Sequence, residues 1–228
     1  MNNLHGRTFV TYPGGSGGDL LTATFNGITC TPDDLYHTEH GISYFRVPPF
    51  TIKKSDKFIR AGLVTLADVV SAMPYSYLST HLISEIKSQA VIKLVVSDSK
   101  SMDAVIYRQQ MLQVHDFRHG ETLVELLKNL CDKQKYQQAA ELFLHFALKH
   151  GHQVNQARSE FQFDQALTLD LSDIMSPGFI PENFPAQFRD LFVINHKFWL
   201  QYQKHVSESE LIARLQKSIP FHLSRISK

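Results

Sequence analysis

The sequence predicts an α/β fold in which a mostly parallel sheet of four or five strands is flanked by helices. A β-type run at residues 8–12 is followed by a glycine-rich segment and then by apolar residues at helical spacing. A near-continuous apolar run at residues 91–96 lacks polar alternation, as is typical of buried parallel strands. Candidate helices follow these candidate strands, so we expect right-handed crossovers that place helices on both faces of the sheet.

The glycine-rich segment, residues 13–18, is the most informative part of the chain, and we call it the glycine loop. A strand, a glycine-rich turn and a helix N-terminus together present several backbone N–H groups to one phosphate or sulfate. Glycine permits positive φ angles and close approach of an anion to the backbone. An alternative is a glycine-rich turn that binds nothing. The residues predicted to bind the anion or nucleotide are Gly14, Gly15, Ser16, Gly17, Gly18 and Asp19.

The loop differs from the two common nucleotide-binding patterns. The GxxxxGK[ST] pattern needs a lysine and a hydroxyl, but counting from Gly14 the chain has neither. The dinucleotide pattern GxGxxG fits only with the wrong spacing.

The closer similarity is to sulfotransferases that use 3′-phosphoadenosine-5′-phosphosulfate. Their loop reads Tyr-Pro-Lys-Ser-Gly-Thr-Thr-Trp-Leu, and Tyr12–Leu21 resembles it with one extra residue. The loop lysine is absent, and Gly18 and Asp19 stand where the family has threonines. The negative charge of Asp19 is unfavourable beside an anion unless a cation bridges the two. Transfer would also need a cation to stabilise charge on the bridging oxygens, and the sequence leaves four candidates for it: Lys53, Lys54, Lys57 and Arg108.

Two later segments resemble the same family in the same order. Residues 77–82 resemble its Lys-Thr-His-Leu-Pro segment, with Ser79 at the lysine position. Because His81 follows a candidate strand and faces the expected ligand crevice, one prediction is that it acts as a general base on an acceptor hydroxyl; the alternative is a hydrogen-bonded structural histidine. The second segment follows the apolar run and resembles Arg-x-Pro-x-Asp, with Ser97 at the arginine position.

The junction after the apolar run is thereby implied to hold the 3′-phosphate of the donor. Its candidate residues are Ser97, Lys100 and Ser101. The alternative is that Ser99 or Ser101 caps the following helix.

The resemblance implies a three-layer P-loop-type fold that binds a phosphoadenosine-phosphosulfate donor. The implied reaction transfers sulfate to a hydroxyl or amine of a small-molecule or glycan acceptor. Two alternatives stay open. One is a degenerate, non-catalytic protein that binds a nucleotide or a partner. The other is an unusual nucleotide kinase in which Asp19 helps to hold Mg²⁺, although the loop lacks the lysine on which such kinases rely.

Composition narrows the class of protein. The 228 residues carry a formal net charge of +1 and are 43% hydrophobic, which predicts one globular domain over residues 1–228 with a mainly helical part from about residue 119. We expect neither nucleic-acid nor membrane binding, because there is no basic excess and no long apolar segment. Two distant cysteines and the absence of a signal peptide predict a cytoplasmic protein. The twelve histidines show no HExxH pattern, so we predict no metal site.

The remaining elements are predicted from apolar spacing and from helix start and stop signals. Residues 27–58 show no clear pattern and are expected to be irregular. The predicted elements are helices at 59–72, 101–114, 121–131, 134–150 and 184–217, the last broken near Ser207, and a strand at 166–171.

Overall fold

The computed structural model describes residues 4, 6–37, 43–45, 50–112, 121–175, 189–202 and 207–226. Its central sheet confirms the predicted α/β class, because four strands lie parallel and helices flank them. A single parallel bridge between Thr51 and Ser79 adds a short extended segment beside the outer strand. In spatial order the strands are β4 (Tyr77–Thr80), β1 (Thr8–Thr11), β5 (Ala90–Val95) and β6 (Gln165–Asp170).

The region predicted to be irregular contains a small antiparallel hairpin of β2 (Leu35–His37) and β3 (Ser43–Phe45). No helix among the described residues is long and apolar enough to cross a membrane. The helices are α1 (Gly18–Phe25), α2 (Asp56–Arg60), α3 (Leu66–Ser71), α4 (Ser99–Leu112), α5 (Glu121–Asp132), α6 (Tyr136–Glu160), α7 (Leu171–Met175), α8 (Arg189–Tyr202) and α9 (Glu208–Ile226).

Two apolar cores hold the chain together. The first surrounds the sheet and includes the fully buried Phe9, Leu21 and Leu78. The second lies between α5, α6 and α9 and includes Leu127 and Leu215. Because α6 packs on α4 and β5 as well as on α9, one long helix belongs to both regions.

Two predicted helix boundaries are wrong. The helix predicted at 59–72 is two short helices, because Gly62 adopts φ +69° and ends the first one. The helix predicted to stop before Gly151 continues to Glu160. Gly151 serves close packing there, since a Cβ atom at that position would lie 2.8 Å from the side chain of Ile106 on α4.

The predicted break near Ser207 is confirmed, because the Ser207 hydroxyl accepts a hydrogen bond from the Glu210 amide at 3.2 Å where α9 begins. The predicted helix start at residues 184–188 lies outside the described residues.

The strand order places the predicted site at one edge of the sheet. From β1 the chain passes to β4 on one side, and later strands extend the sheet on the other side. In open parallel sheets, ligands bind beyond the carboxyl ends of the strands where the order reverses. The glycine loop follows β1, His81 follows β4 and Ser97 follows β5, so all three predicted segments lie at this edge.

Candidate functional site

The glycine loop is a tight turn fixed by its own serine. The amide and the hydroxyl of Ser16 both donate to the carbonyl of Pro13, at 3.1 and 2.7 Å, and the side chain is fully buried. Gly15 and Gly17 have φ angles of +86° and +77°, which L residues with a side chain rarely adopt. The Ser16 hydroxyl therefore fixes the shape of the loop.

Tyr12 and α4 also pack closely against the loop. A Cβ atom at Gly18 would lie 2.0 Å from the ring of Tyr12, and one at Gly15 would lie 2.5 Å from the Val105 carbonyl oxygen on α4. The amides of Gly18 and Asp19 belong to the first turn of α1, where N–H groups have no carbonyl one turn earlier in the helix. The chain thus offers N–H groups at the start of a helix, as anion sites require.

Asp19 is the centre of a hydrogen-bonded cluster at this turn. Its carboxylate accepts from the Tyr12 hydroxyl, from the Ser79 hydroxyl at 3.0 Å and from the Lys53 ammonium at 2.8 Å. The Lys53 nitrogen also lies 4.6 Å from the centre of the Tyr12 ring, a cation–π distance. Ser79, at the position of a family lysine, therefore binds Asp19.

The structure separates the four candidate cations. Lys53 is ion-paired with Asp19, and Arg108 donates from α4 to the Gly15 carbonyl at 2.6 Å while only 7% exposed. Lys54 is exposed, and Lys57 lies over the Phe58 ring on the exposed face of α2. Lys53 and Arg108 thus both reach the loop, Lys53 through Asp19 and Arg108 through the Gly15 carbonyl.

His81 lies against this cluster with its backbone held by α2. Its amide donates to Asp56 at 3.3 Å, its carbonyl accepts from Arg60 at 3.3 Å, and its ring meets that of Tyr12 edge-on at 5.6 Å. Burial, helped by the charges of Lys53, Arg158 and Arg60, holds the pKa of His81 well below its usual value.

Burial and these charges favour the neutral form of the His81 ring, and they also make it a weaker base than a free imidazole. Its Nδ1 atom is enclosed and has no hydrogen-bond partner among the described residues. Asp56 is also buried, and burial raises its pKa, although its hydrogen bond from His81 and the charge of Arg60 act in the opposite direction.

The β5 junction is more exposed. The Ser101 amide donates to the Asp98 carboxylate at 2.7 Å, so Asp98 is the cap of α4 rather than Ser99 or Ser101. Ser97 hydrogen-bonds to Asp170; burial raises the pKa of that carboxyl, but the bonds from Ser97 and Ser172 together lower it. Lys100 is exposed.

Three residues of the cluster were not predicted from the sequence. Asp56 and Arg60 lie in a charged stretch that follows Lys53, and their charges were the available signal. Arg158 is on α6 and donates to the Tyr12 carbonyl at 3.4 Å. It is separated from Tyr12 by 146 residues, and no pattern in the sequence links the two.

Metal ligands and cavities were also considered among the described residues. No group of three or more His, Cys, Asp or Glu side chains among them could hold a metal ion. A groove of about 340 Å³ lies near the amino ends of the strands, away from the glycine loop. Its lining has no carboxylate, imidazole or cation, so we assign it no reaction. It includes Thr8, Tyr77, Ala90 and Gln165.

Comparison of the chain with family models, with curated proteins and with solved structures found no match.

Proposed function

We propose that the protein is a sulfotransferase-like enzyme of the P-loop type, which binds 3′-phosphoadenosine-5′-phosphosulfate at the glycine loop. The observation that carries the proposal is the position of Lys53. A lysine from outside the loop lies 2.8 Å from Asp19 and over Tyr12, next to the loop that lacks its own lysine. Lys53 therefore supplies the cation that the resemblance to sulfotransferases leaves missing.

Each part of the cluster has a role in transfer. The amides of the glycine loop hold the oxygens of the 5′-phosphosulfate, and Lys53 stabilises charge on the bridging oxygen as its bond to sulfur breaks. The acceptor oxygen or nitrogen forms a new bond to that sulfur and gives its proton to neutral His81. Asp19 keeps Lys53 in place through their ion pair.

A second candidate, nucleotide binding without transfer, is favoured by one observation. No described residue hydrogen-bonds to Nδ1 of His81, whereas a general base is usually oriented by a partner on its second nitrogen. The kinase alternative gains no such support, because Asp19 already pairs with Lys53 and accepts from two hydroxyl groups.

A thermal-shift comparison tests donor binding. We expect 3′-phosphoadenosine 5′-phosphate to stabilise the protein more than ATP with Mg²⁺ or sulfate does. At a ligand concentration one hundred times the dissociation constant, the free energy of unfolding rises by about 2.7 kcal/mol. Gly17→Val should abolish this stabilisation, because valine does not tolerate the φ angle of +77° on which the loop depends.

The matched control is Gly27→Val, which has a similar φ angle of +72° at the far end of α1 and should retain the ligand effect. Unchanged ligand binding in Gly17→Val would refute the loop as the binding site. Stronger stabilisation by ATP with Mg²⁺ would favour the kinase alternative.

A further inference from the structure

Two arginines are held at the ends of neighbouring strands, beside the glycine loop. Arg158 donates to the carbonyl of Tyr12 at 3.4 Å, and Arg60 donates to the carbonyl of His81 at 3.3 Å. Tyr12 and His81 each follow the last paired residues of β1 and β4, Thr11 and Thr80. Since adjacent strands lie about 4.8 Å apart, the two guanidinium groups are anchored at the same edge of the sheet.

Within the described part of the chain, no ion pair neutralises these arginines. Among the described residues, neither Arg60 nor Arg158 has a carboxylate within ion-pair distance. Lys53 and Asp19 already pair with each other, so Asp56 is the remaining carboxylate of the cluster and faces two guanidinium charges. Because His81 is neutral, this part of the cluster has an excess of one positive charge.

The same place also has unused hydrogen-bonding capacity. A guanidinium has five N–H groups, and Arg60 and Arg158 each use one of their terminal nitrogens on a backbone carbonyl. Nδ1 of His81 is enclosed without a partner among the described residues. Buried polar atoms are normally satisfied, so an unsatisfied one beside two arginines that have no ion pair among the described residues indicates that a polar group belongs there.

We infer that Arg60, Arg158 and His81 form a second oxyanion site beside the glycine loop, which accepts a carboxylate, phosphate or sulfate group. The fork of an arginine matches the planar pair of oxygens that such groups present. This inference rests on the proposed function and extends it. The oxyanion is either the group that the donor transfers or an acidic group on the acceptor.

Isothermal titration calorimetry with inorganic phosphate tests the second site. We expect the unaltered protein to bind two phosphate ions. Arg60→Gln and Arg158→Gln should each weaken one of them at least tenfold, whereas Lys53→Met should weaken the other. Lys133→Gln is the control, because it removes an exposed charge in the turn between α5 and α6. This variant should still bind both phosphate ions.

Arg60 is exposed, so Arg60→Gln should keep the fold. This variant keeps the inference testable even if Arg158→Gln, which loses the contact with Tyr12, destabilises the loop. An Arg60→Gln titration identical to that of Lys133→Gln would overturn the inference, whether the unaltered protein binds one phosphate ion or two. Failure of the proposed function gives a different result. In that case Lys53→Met and Gly17→Val leave phosphate binding unchanged, while the arginine variants still weaken it.

The source of the oxyanion is found by repeating the titration with the loop occupied. Saturation with 3′-phosphoadenosine 5′-phosphate fills the loop without a transferable group, and the complete donor fills it with one. If phosphate still binds beside both nucleotides, the site serves an acidic acceptor. If it no longer binds beside the complete donor, the site holds a group of the donor.

Discussion

The two sides of the glycine loop differ in how their polar groups are used. On the side of β4, Asp19 pairs with Lys53 and accepts from Ser79, and Tyr12 links this pair to the ring of His81. The side chains of Asp19 and Lys53 are only 20% and 25% exposed. On the side of β5, Ser97 bonds to Asp170, while the Ser101 amide completes the helix cap of Asp98. The β4 side holds several charges next to the loop. On the β5 side Arg108 of α4 donates to the Gly15 carbonyl, and the other polar groups satisfy the ends of a strand and a helix.

This difference indicates where a ligand gains most from the protein. Partly buried charges are screened less by water and salt than exposed ones, so Lys53 acts on an anion more strongly than Lys100 does. The β4 side should therefore dominate donor binding and chemistry, although the resemblance to sulfotransferases implied phosphate contacts on both sides.

The largest expected effect is on the chemical step at His81. If the protein transfers sulfate, His81→Ala should lower turnover by roughly 10²-fold or more, because a neutral base is lost. Donor affinity should change by less than about threefold, equivalent to about 0.7 kcal/mol. His145→Ala, on an exposed face of α6, is the control. Equal turnover in the two variants would exclude a catalytic role, and failure to fold would show His81 to be structural.

A smaller effect is expected on stability at the contact between the loop and Tyr12. Gly→Ala in a helix ordinarily stabilises a protein by up to about 1 kcal/mol. We expect Gly18→Ala instead to lower the free energy of unfolding by about 1–3 kcal/mol, because the new methyl group would overlap the Tyr12 ring. Urea unfolding measures this change. In a Tyr12→Ala background the same substitution should no longer destabilise, and a neutral Gly18→Ala would contradict the observed packing.

The next effect is a dependence of stability on pH. Burial, with the nearby charges, lowers the pKa of His81 in the folded protein, while the unfolded chain keeps a value of about 6.5. Below that pH the unfolded chain binds a proton that the folded protein does not. The free energy of unfolding should therefore fall as pH falls, by at most about 1.4 kcal/mol per pH unit from this group.

His81→Gln should remove that part of the slope, as measured by urea unfolding between pH 5.5 and 7.5. Asp56 acts in the opposite sense at lower pH, because burial raises its pKa and its contribution to stability is lost as pH rises through that value. Parallel curves for His81→Gln and the unaltered protein would show that His81 keeps an ordinary pKa.

The smallest effect is expected on the side of β5. Ser101→Ala keeps the backbone amide that bonds to Asp98 and removes only the exposed hydrogen bond of the hydroxyl to that carboxylate, so stability should change by about 0.5 kcal/mol or less. Donor affinity should also stay within about threefold, or about 0.7 kcal/mol. Asp98→Ala removes the capping side chain itself and should lower the free energy of unfolding by about 1 kcal/mol. A large loss of donor affinity in Ser101→Ala would restore the predicted 3′-phosphate site at this junction.

The fold was predictable where local signals agree with tertiary structure. The apolar run at 91–96 and the strand–loop–helix pattern near the N-terminus correspond to β5, β1 and α1 within one or two residues. The end of α6 was not predictable in this way. Gly151 resembles a helix stop in the sequence. In the structure it lies inside the helix, where the absence of a side chain lets Ile106 pack closely.

The candidate site was predictable only in part for a similar reason. The glycine loop and His81 come directly after strands, so their position at the sheet edge follows from the order of elements. The choice of Lys53 over Lys54 depends on the extended segment whose Thr51 pairs with Ser79, which local sequence does not indicate. Arg158 reaches Tyr12 only because α6 is longer than its sequence pattern predicts.

The most direct test compares Lys53→Met with Lys100→Met, since each removes one lysine charge, from the β4 side and the β5 side respectively. Binding of 3′-phosphoadenosine 5′-phosphate is measured for both by isothermal titration calorimetry. We predict that Lys53→Met weakens binding at least tenfold, or about 1.4 kcal/mol, and that Lys100→Met weakens it by less than about threefold. Equal losses, or a larger loss for Lys100→Met, would contradict the assignment of the anion site to the β4 side.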